Sequence, residues 1–169
     1  MNVFRSPLNP IITPAAVKPS RPDFRVVCAF NCGVTRFKGQ VLLLIRVAEV
    51  PVNGDPSVEL VPEYDPRSEQ IVVHRFDKSD SSIDFSDSRF VRLPEQQFLT
   101  SISHFRIARS DDGIHFSIDE TPAMKPANRY EAFGIEDPRI TEIDGTYWIN
   151  YSAISAETGV TTMLASTAD

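Results

Sequence analysis

Gly134-Ile135-Glu136-Asp137-Pro138-Arg139-Ile140-Thr141, followed by Ile143-Asp144-Gly145-Thr146-Tyr147-Trp148-Ile149-Asn150-Tyr151-Ser152-Ala153, is the stretch whose reading decides the fold. Asp144-Gly145 is the dipeptide of a tight hairpin turn, and the aromatic run from Thr146 to Ala153 is the returning strand. A residue before proline is pushed toward extended geometry and proline sits at strand starts or edges, so Asp137 is expected where a loop becomes a strand. Side chains alternate along a strand. On that period Asp137 and Arg139 share one face and Glu136 points the other way, so the adjacent acids are not expected to face a common partner. Taken locally, the motif is an Asp137–Arg139 surface ion pair worth at most about 1 kcal/mol.

Outward from this hairpin the chain is a series of short β-type runs. They are Val26 to Asn31, Gln40 to Val47, Val58 to Val61, Gln70 to Phe76, Phe90 to Leu93, Ile102 to Ser110, Ile114 to Ile118, Ile140 to Ile143, Thr146 to Ala153 and Val160 to Ser166. No segment carries helical periodicity over a useful length, so the class is all-β. Residues 1–23, with Pro7, Pro10, Pro14, Pro19 and Pro22, read as an extended proline-rich arm into which no helix fits. Phe37-Lys38-Gly39-Gln40 echoes Ile143-Asp144-Gly145-Thr146, and Ile107-Ala108-Arg109-Ser110 echoes Leu164-Ala165-Ser166-Thr167. Repeated hairpins suit propeller blades. The first copy is interrupted from about Pro51 to Gln97 by a segment rich in Asp, Ser, Pro and Glu. It reads as a long solvated loop or extra hairpin, with a lid or partner surface as the alternative. In the first copy a partner strand follows Ser110-Asp111-Asp112-Gly113, whereas the second stops at Thr167-Ala168-Asp169. About ten strands fill fewer than three four-stranded blades, so residues 24–169 are expected to be part of a larger propeller, truncated at the C-terminus.

Composition narrows the function. With 41% hydrophobic and 24% charged residues the chain is ordinary globular protein. A net charge of −6 argues against a nucleic-acid partner, which needs a basic stripe. The longest apolar run, Val41 to Ile45, cannot cross a bilayer, and the first residues lack the apolar core of a signal peptide, so a cytoplasmic location without membrane attachment is expected. Cys28 and Cys32, four apart in an extended segment, lie roughly 13 Å apart, too far for a disulfide, and read as buried reduced thiols. His74, His104 and His115 lack metal-ligand spacing, so no metal is expected.

The same chain carries Asn9-Pro10-Ile11-Ile12-Thr13-Pro14, Phe30-Asn31-Cys32-Gly33-Val34-Thr35-Arg36-Phe37, Val41-Leu42-Leu43-Leu44-Ile45-Arg46-Val47 and Ile107-Ala108-Arg109-Ser110-Asp111-Asp112-Gly113-Ile114-His115-Phe116. Together with the Asp137 motif these resemble glycoside hydrolase family 130, the β-mannoside phosphorylases and related β-mannosidases, in register to the last residue. The resemblance implies a five-bladed propeller of about twice this length. It implies that Asp137 is the catalytic acid, passing its proton to the glycosidic oxygen through the mannose 3-hydroxyl. Asn31 and Arg46 match positions that contact the sugar in the minus-one subsite. Cys32 stands where the family often has Ser or Ala, a departure that alters packing more than chemistry. Arg109 falls in a shared motif and is carried over as sugar-binding; without the family, Arg46 and Arg109 read as snorkelling arginines paired with nearby acids. Glu136 and Arg139 flank Asp137 and are counted with the substrate-binding candidates.

One acid suffices if phosphate is the nucleophile, because phosphate arrives ionised. The implied reaction is inverting phosphorolysis of β-mannosides (β-1,4-mannosyl-glucose, mannosyl-N-acetylglucosamine or mannooligosaccharides) to α-mannose 1-phosphate. No cofactor is implied beyond inorganic phosphate as co-substrate, and a homo-oligomer stays open. The alternatives are a β-mannosidase of the same family, which uses water, and a carbohydrate-binding propeller without chemistry.

Overall fold

A computed structural model describes residues 2–169. β1 (Phe24–Phe37) and β2 (Gln40–Pro51) form a long antiparallel hairpin closed by Lys38 and Gly39, both left-handed at φ 48° and 87°. β3 (Val58–Asp65) and β4 (Gln70–Asp77) pair as a second hairpin, and β5 (Phe90–Arg92) and β6 (Gln97–Leu99) as a third. The chain then returns through β7 (Ile102–Ser110) to the free edge of β2, and β8 (Ser117–Ile118) completes a sheet of order β1-β2-β7-β8. The second sheet holds β9 (Ile135–Ile143), β10 (Thr146–Ser155) and β11 (Gly159–Thr167), with β10 central. The protein is all-β, and the two sheets do not close a ring.

The echoes seen in the sequence are structural equivalents. Both tight turns join the first two strands of a sheet, and β7 and β11 are each third in their sheet. β2 is covered on both faces, which explains its unbroken apolar run. Leu43, Ile45, Val47 and Ala108 form one cluster beneath Val17 of the N-terminal segment. Leu44 joins Phe105, Ile135 and Tyr151 in a second cluster between the sheets. The sheets meet closely: a Cβ added at Gly33 on β1 would lie 3.1 Å from the Pro138 carbonyl oxygen on β9.

Three expectations are corrected. The N-terminal segment carries no strand but does contain a short 3-10 turn at Pro14–Ala16; residue 1 lies outside the described residues. It is pinned where the Ser20 N–H donates to buried Glu49 at 2.7 Å. For the segment between β2 and β7 the extra-hairpin reading holds and the solvated-loop reading does not: it forms two hairpins, which pack through Val61, Val91 and Phe98 onto Phe133, just before β9. Cys28 is exposed and Cys32 half-buried, both free thiols but neither buried as expected; Cys28 follows one register shift of β1, between Val26 and Cys28, and Cys32 lies in the other, between Phe30 and Gly33. Among the described residues no helix is long and apolar enough to cross a membrane, and no group of three or more His, Cys, Asp or Glu is placed to hold a metal ion.

Candidate active site

Two bulges build the site. On β1, Phe30 pairs with Arg46 and Gly33 with Leu44, so Asn31 and Cys32 together oppose the single residue Ile45. On β9, Glu136 pairs with Ser152 and Arg139 with Asn150, so Asp137 and Pro138 together oppose Tyr151. An extra residue in one strand disrupts the pleat and re-aims the side chain beside it. Asn31 and Asp137 take up the distortion in left-handed backbone, at φ 46° and 52°, a conformation that Asn and Asp tolerate better than most residues.

The bulges face each other across the junction of the sheets. Asn31 Nδ2 donates to Asp137 Oδ1 at 2.9 Å, and Arg46 Nη1 on β2 donates to the same oxygen at 2.9 Å. Arg46 Nη2 also bonds Glu136, while its Nε donates to Ser103 Oγ at 3.2 Å and its guanidinium lies 4.6 Å from the Phe30 ring centroid. Asp137 Oδ2 accepts no hydrogen bond from any described residue, and the side chain is 39% exposed. The carboxyl group is thus held by one oxygen and open at the other.

This geometry overturns three local expectations. Asp137 is not extended ahead of Pro138, and the adjacent acids do converge on one partner, since alternation presumes one residue per pleat and the bulge adds another. The expected Asp137–Arg139 pair is replaced by Asp137–Arg46; Arg139 Nη1 instead donates to the Pro138 carbonyl at 3.0 Å.

The two acids differ electrostatically. Burial pushes the Glu136 pKa up and the neighbouring Asp137 charge adds to this, against the opposing pull of Arg46. Burial also acts upward on Asp137, but the hydrogen bonds from Asn31 and Arg46 outweigh it and leave the pKa below its ordinary value. A guanidinium shared by two carboxyls whose pKa values are pushed apart is a common arrangement where one group must exchange a proton.

Asn31, Arg46, Glu136 and Asp137 are therefore brought together. Cys32 packs against the Val17–Leu43 cluster. Arg109 is not in the group: it pairs with Asp119 and lines a groove of about 140 Å3 with Leu42 and Tyr147. On β7 it lies four residues from Phe105, the residue opposite Arg46, or about 13 Å along the strand. Sequence reasoning missed Phe30 and Ser103. Phe30 stands beside Asn31 and could have been suspected, whereas Ser103 carries no local signal.

A family profile described as β-1,4-mannooligosaccharide phosphorylase of glycoside hydrolase family 130 matches residues 87–169. Over its whole length the chain is 47% identical to a β-1,2-mannobiose phosphorylase from Listeria innocua, covering 48% of that protein. A β-1,2-mannobiose phosphorylase from Thermoanaerobacter is 39% identical over 72 residues, 40% of this chain and 23% of that relative. The solved Listeria innocua β-1,2-mannobiose phosphorylase, in complex with β-1,2-mannobiose, superposes with a TM-score of 0.92 over 100% of this chain and 49% of the other. A glycosyl hydrolase from Bacteroides ovatus, 20% identical, shares the fold at a TM-score of 0.60 over 98% of this chain and 37% of its own. The chain spans about half the length of the Listeria relative. With 47% identity over its whole length to a mannobiose phosphorylase and a family profile matching residues 87–169, the chain belongs to glycoside hydrolase family 130.

Proposed function

We propose that the complete protein is an inverting β-mannoside phosphorylase with β-1,2-mannobiose as its substrate, in which Asp137 is the catalytic acid. The observation that carries this reading is the Asp137 carboxyl group, fixed through Oδ1 by Asn31 and Arg46 and open at Oδ2. The linkage is taken from the name of the Listeria relative, in preference to the β-1,4-linked and N-acetylglucosamine substrates that the family resemblance offered.

The chemistry follows from the carboxyl pair. Inverting hydrolysis needs an acid and a base on opposite faces of the sugar, about 6.5–9.5 Å apart. Glu136 and Asp137 share one guanidinium, so they approach from one side. An external nucleophile that arrives ionised fits this pair better than water. Phosphate attacks the anomeric carbon opposite the leaving oxygen, the glycosidic C–O bond breaks, and that oxygen takes the Asp137 proton, directly or through a sugar hydroxyl. The β-linkage becomes α-mannose 1-phosphate. A sugar filling the cleft excludes water from Asp137 and raises its pKa toward the protonated form the step requires. Asn31 and Arg46 orient the carboxyl group, and Arg46 balances the charge left after proton transfer.

On this reading the four- and three-stranded sheets are successive blades of a propeller, Asn31 and Asp137 line its axis, and residues outside this chain supply the cations that hold phosphate. Conservation of the glycosidic bond energy as a sugar phosphate suits an intracellular enzyme. The test is product analysis of the full-length protein on β-1,2-mannobiose with and without inorganic phosphate. Mannose 1-phosphate formed only with phosphate supports the proposal. Free mannose released at equal rates in both makes the protein a β-mannosidase, and binding without turnover makes it a carbohydrate-binding scaffold.

A further inference from the structure

The Asp137 bulge has one partner on β10, Tyr151, and that residue is buried at 5% exposure. Its ring packs edge-to-face on Phe105, with centroids 5.9 Å apart and planes at 87°. Its hydroxyl donates to Glu131 Oε1 at 2.8 Å. Glu131 is 2% exposed and, among the described residues, pairs with no Lys, Arg or His; its other oxygen accepts the Ala127 N–H at 2.7 Å. A buried carboxyl group is costly unless hydrogen-bonded, so phenol and amide together satisfy a group that packing alone would exclude.

Glu131 ends a short 3-10 turn, Arg129–Glu131, capped by the Asn128 side chain, and its carbonyl accepts the Gly134 N–H at 2.8 Å. Gly134, at φ 112°, runs so close to β7 that an added Cβ would lie 2.5 Å from the Ser103 nitrogen. Ser103 in turn holds Arg46 Nε. The segment Ile135–Asp137 is therefore tied at its entry to Ser103 and the Glu131 turn, and at its bulge to Tyr151. The phenol joins these two anchors.

We propose that the buried Tyr151–Glu131 hydrogen bond is a positioning clamp that holds the Asp137 bulge against Asn31 and Arg46, so that Tyr151 and Glu131 act on the reaction through Asp137 without touching substrate. The inference rests on the phosphorylase reading above. In the full-length protein, Tyr151→Phe keeps the ring and removes only the donor. It should lower kcat for β-1,2-mannobiose phosphorolysis at least tenfold with KM changed less than threefold. The alkaline limb of the kcat profile should move to higher pH, because slackened bonds from Asn31 and Arg46 stabilise the Asp137 anion less. Glu131→Gln, which leaves an oxygen for the phenol, should give a smaller loss of the same kind. Leu43→Ala, in the cluster on the other face of β2, supplies a destabilised comparison whose alkaline limb stays in place. The clamp is overturned if Tyr151→Phe lowers Tm but leaves kcat and the limb at wild-type values, or if Leu43→Ala reproduces both changes. Should the wild-type protein show no phosphorolysis, the functional reading falls and the clamp is still read by the 13C-carboxyl titration of Asp137. An upward move in Tyr151→Phe or Glu131→Gln supports it, and an unmoved titration overturns it.

Discussion

Asp137 sits in left-handed backbone that asparagine adopts as readily, so Asp137→Asn removes the proton and the charge while keeping shape and conformation. General acid catalysis is worth about 10²–10⁴-fold, and turnover by the full-length variant should fall by about that much. Tm should change by no more than a few degrees, because the carboxyl group is part-exposed and Glu136 still pairs with Arg46. Near-wild-type kcat in this variant would remove Asp137 from the acid role. Asn31→Ala tests the electrostatics. The amide favours the ionised carboxyl group, so its loss raises the Asp137 pKa, and the acid stays protonated to higher pH. The alkaline limb of the pH–rate profile should move upward in Asn31→Ala; a downward move contradicts the assignment.

The elements that carry these residues are held by close backbone approaches. Gly134→Ala places a methyl group within 2.9 Å of both the nitrogen and the carbonyl oxygen of Ser103, at a φ that alanine avoids. β9 must shift, at a cost of about 1–3 kcal/mol. Gly145, left-handed in the β9–β10 turn, has open space around its Cβ position, so Gly145→Asn should cost less than about 1 kcal/mol because Asn is favoured in such turns. Urea unfolding of the two variants checks the contrast. Equal losses would mean that the β9–β7 approach yields more easily than its geometry implies.

In the whole molecule, β11 is an edge strand, and it exposes Val160 at 70% and Leu164 at 62%. An unpaired edge with exposed apolar residues is a template for association. Residues 1–169 expressed alone should self-associate and be inactive, and Leu164→Lys should shift the population toward monomer in light scattering. A monomeric chain at tens of micromolar with a sharp melt and phosphorylase activity would contradict the reading of the sheets as successive blades of a larger ring.

The class, the hairpin positions and the paired turns at Lys38-Gly39 and Asp144-Gly145 were legible in the sequence, because turn chemistry and strand period are set by residues within a few positions of one another. β7 was read with its observed bounds. Other strands were read short, since β1 runs on to Phe37 and β9 starts at Ile135, and β6 was missed, its Phe98 and Leu99 following the polar run Glu95-Gln96-Gln97. Asn31, Arg46 and Asp137 were singled out by family resemblance, but their grouping belongs to the tertiary structure. Alternation along β9 separated Glu136 from Asp137, and it took a bulge opposite Tyr151 to bring both to Arg46. A bulge depends on partners distant in sequence, here Ser103, Glu131 and the sheet around β1, so counting residues along one strand could not reveal it.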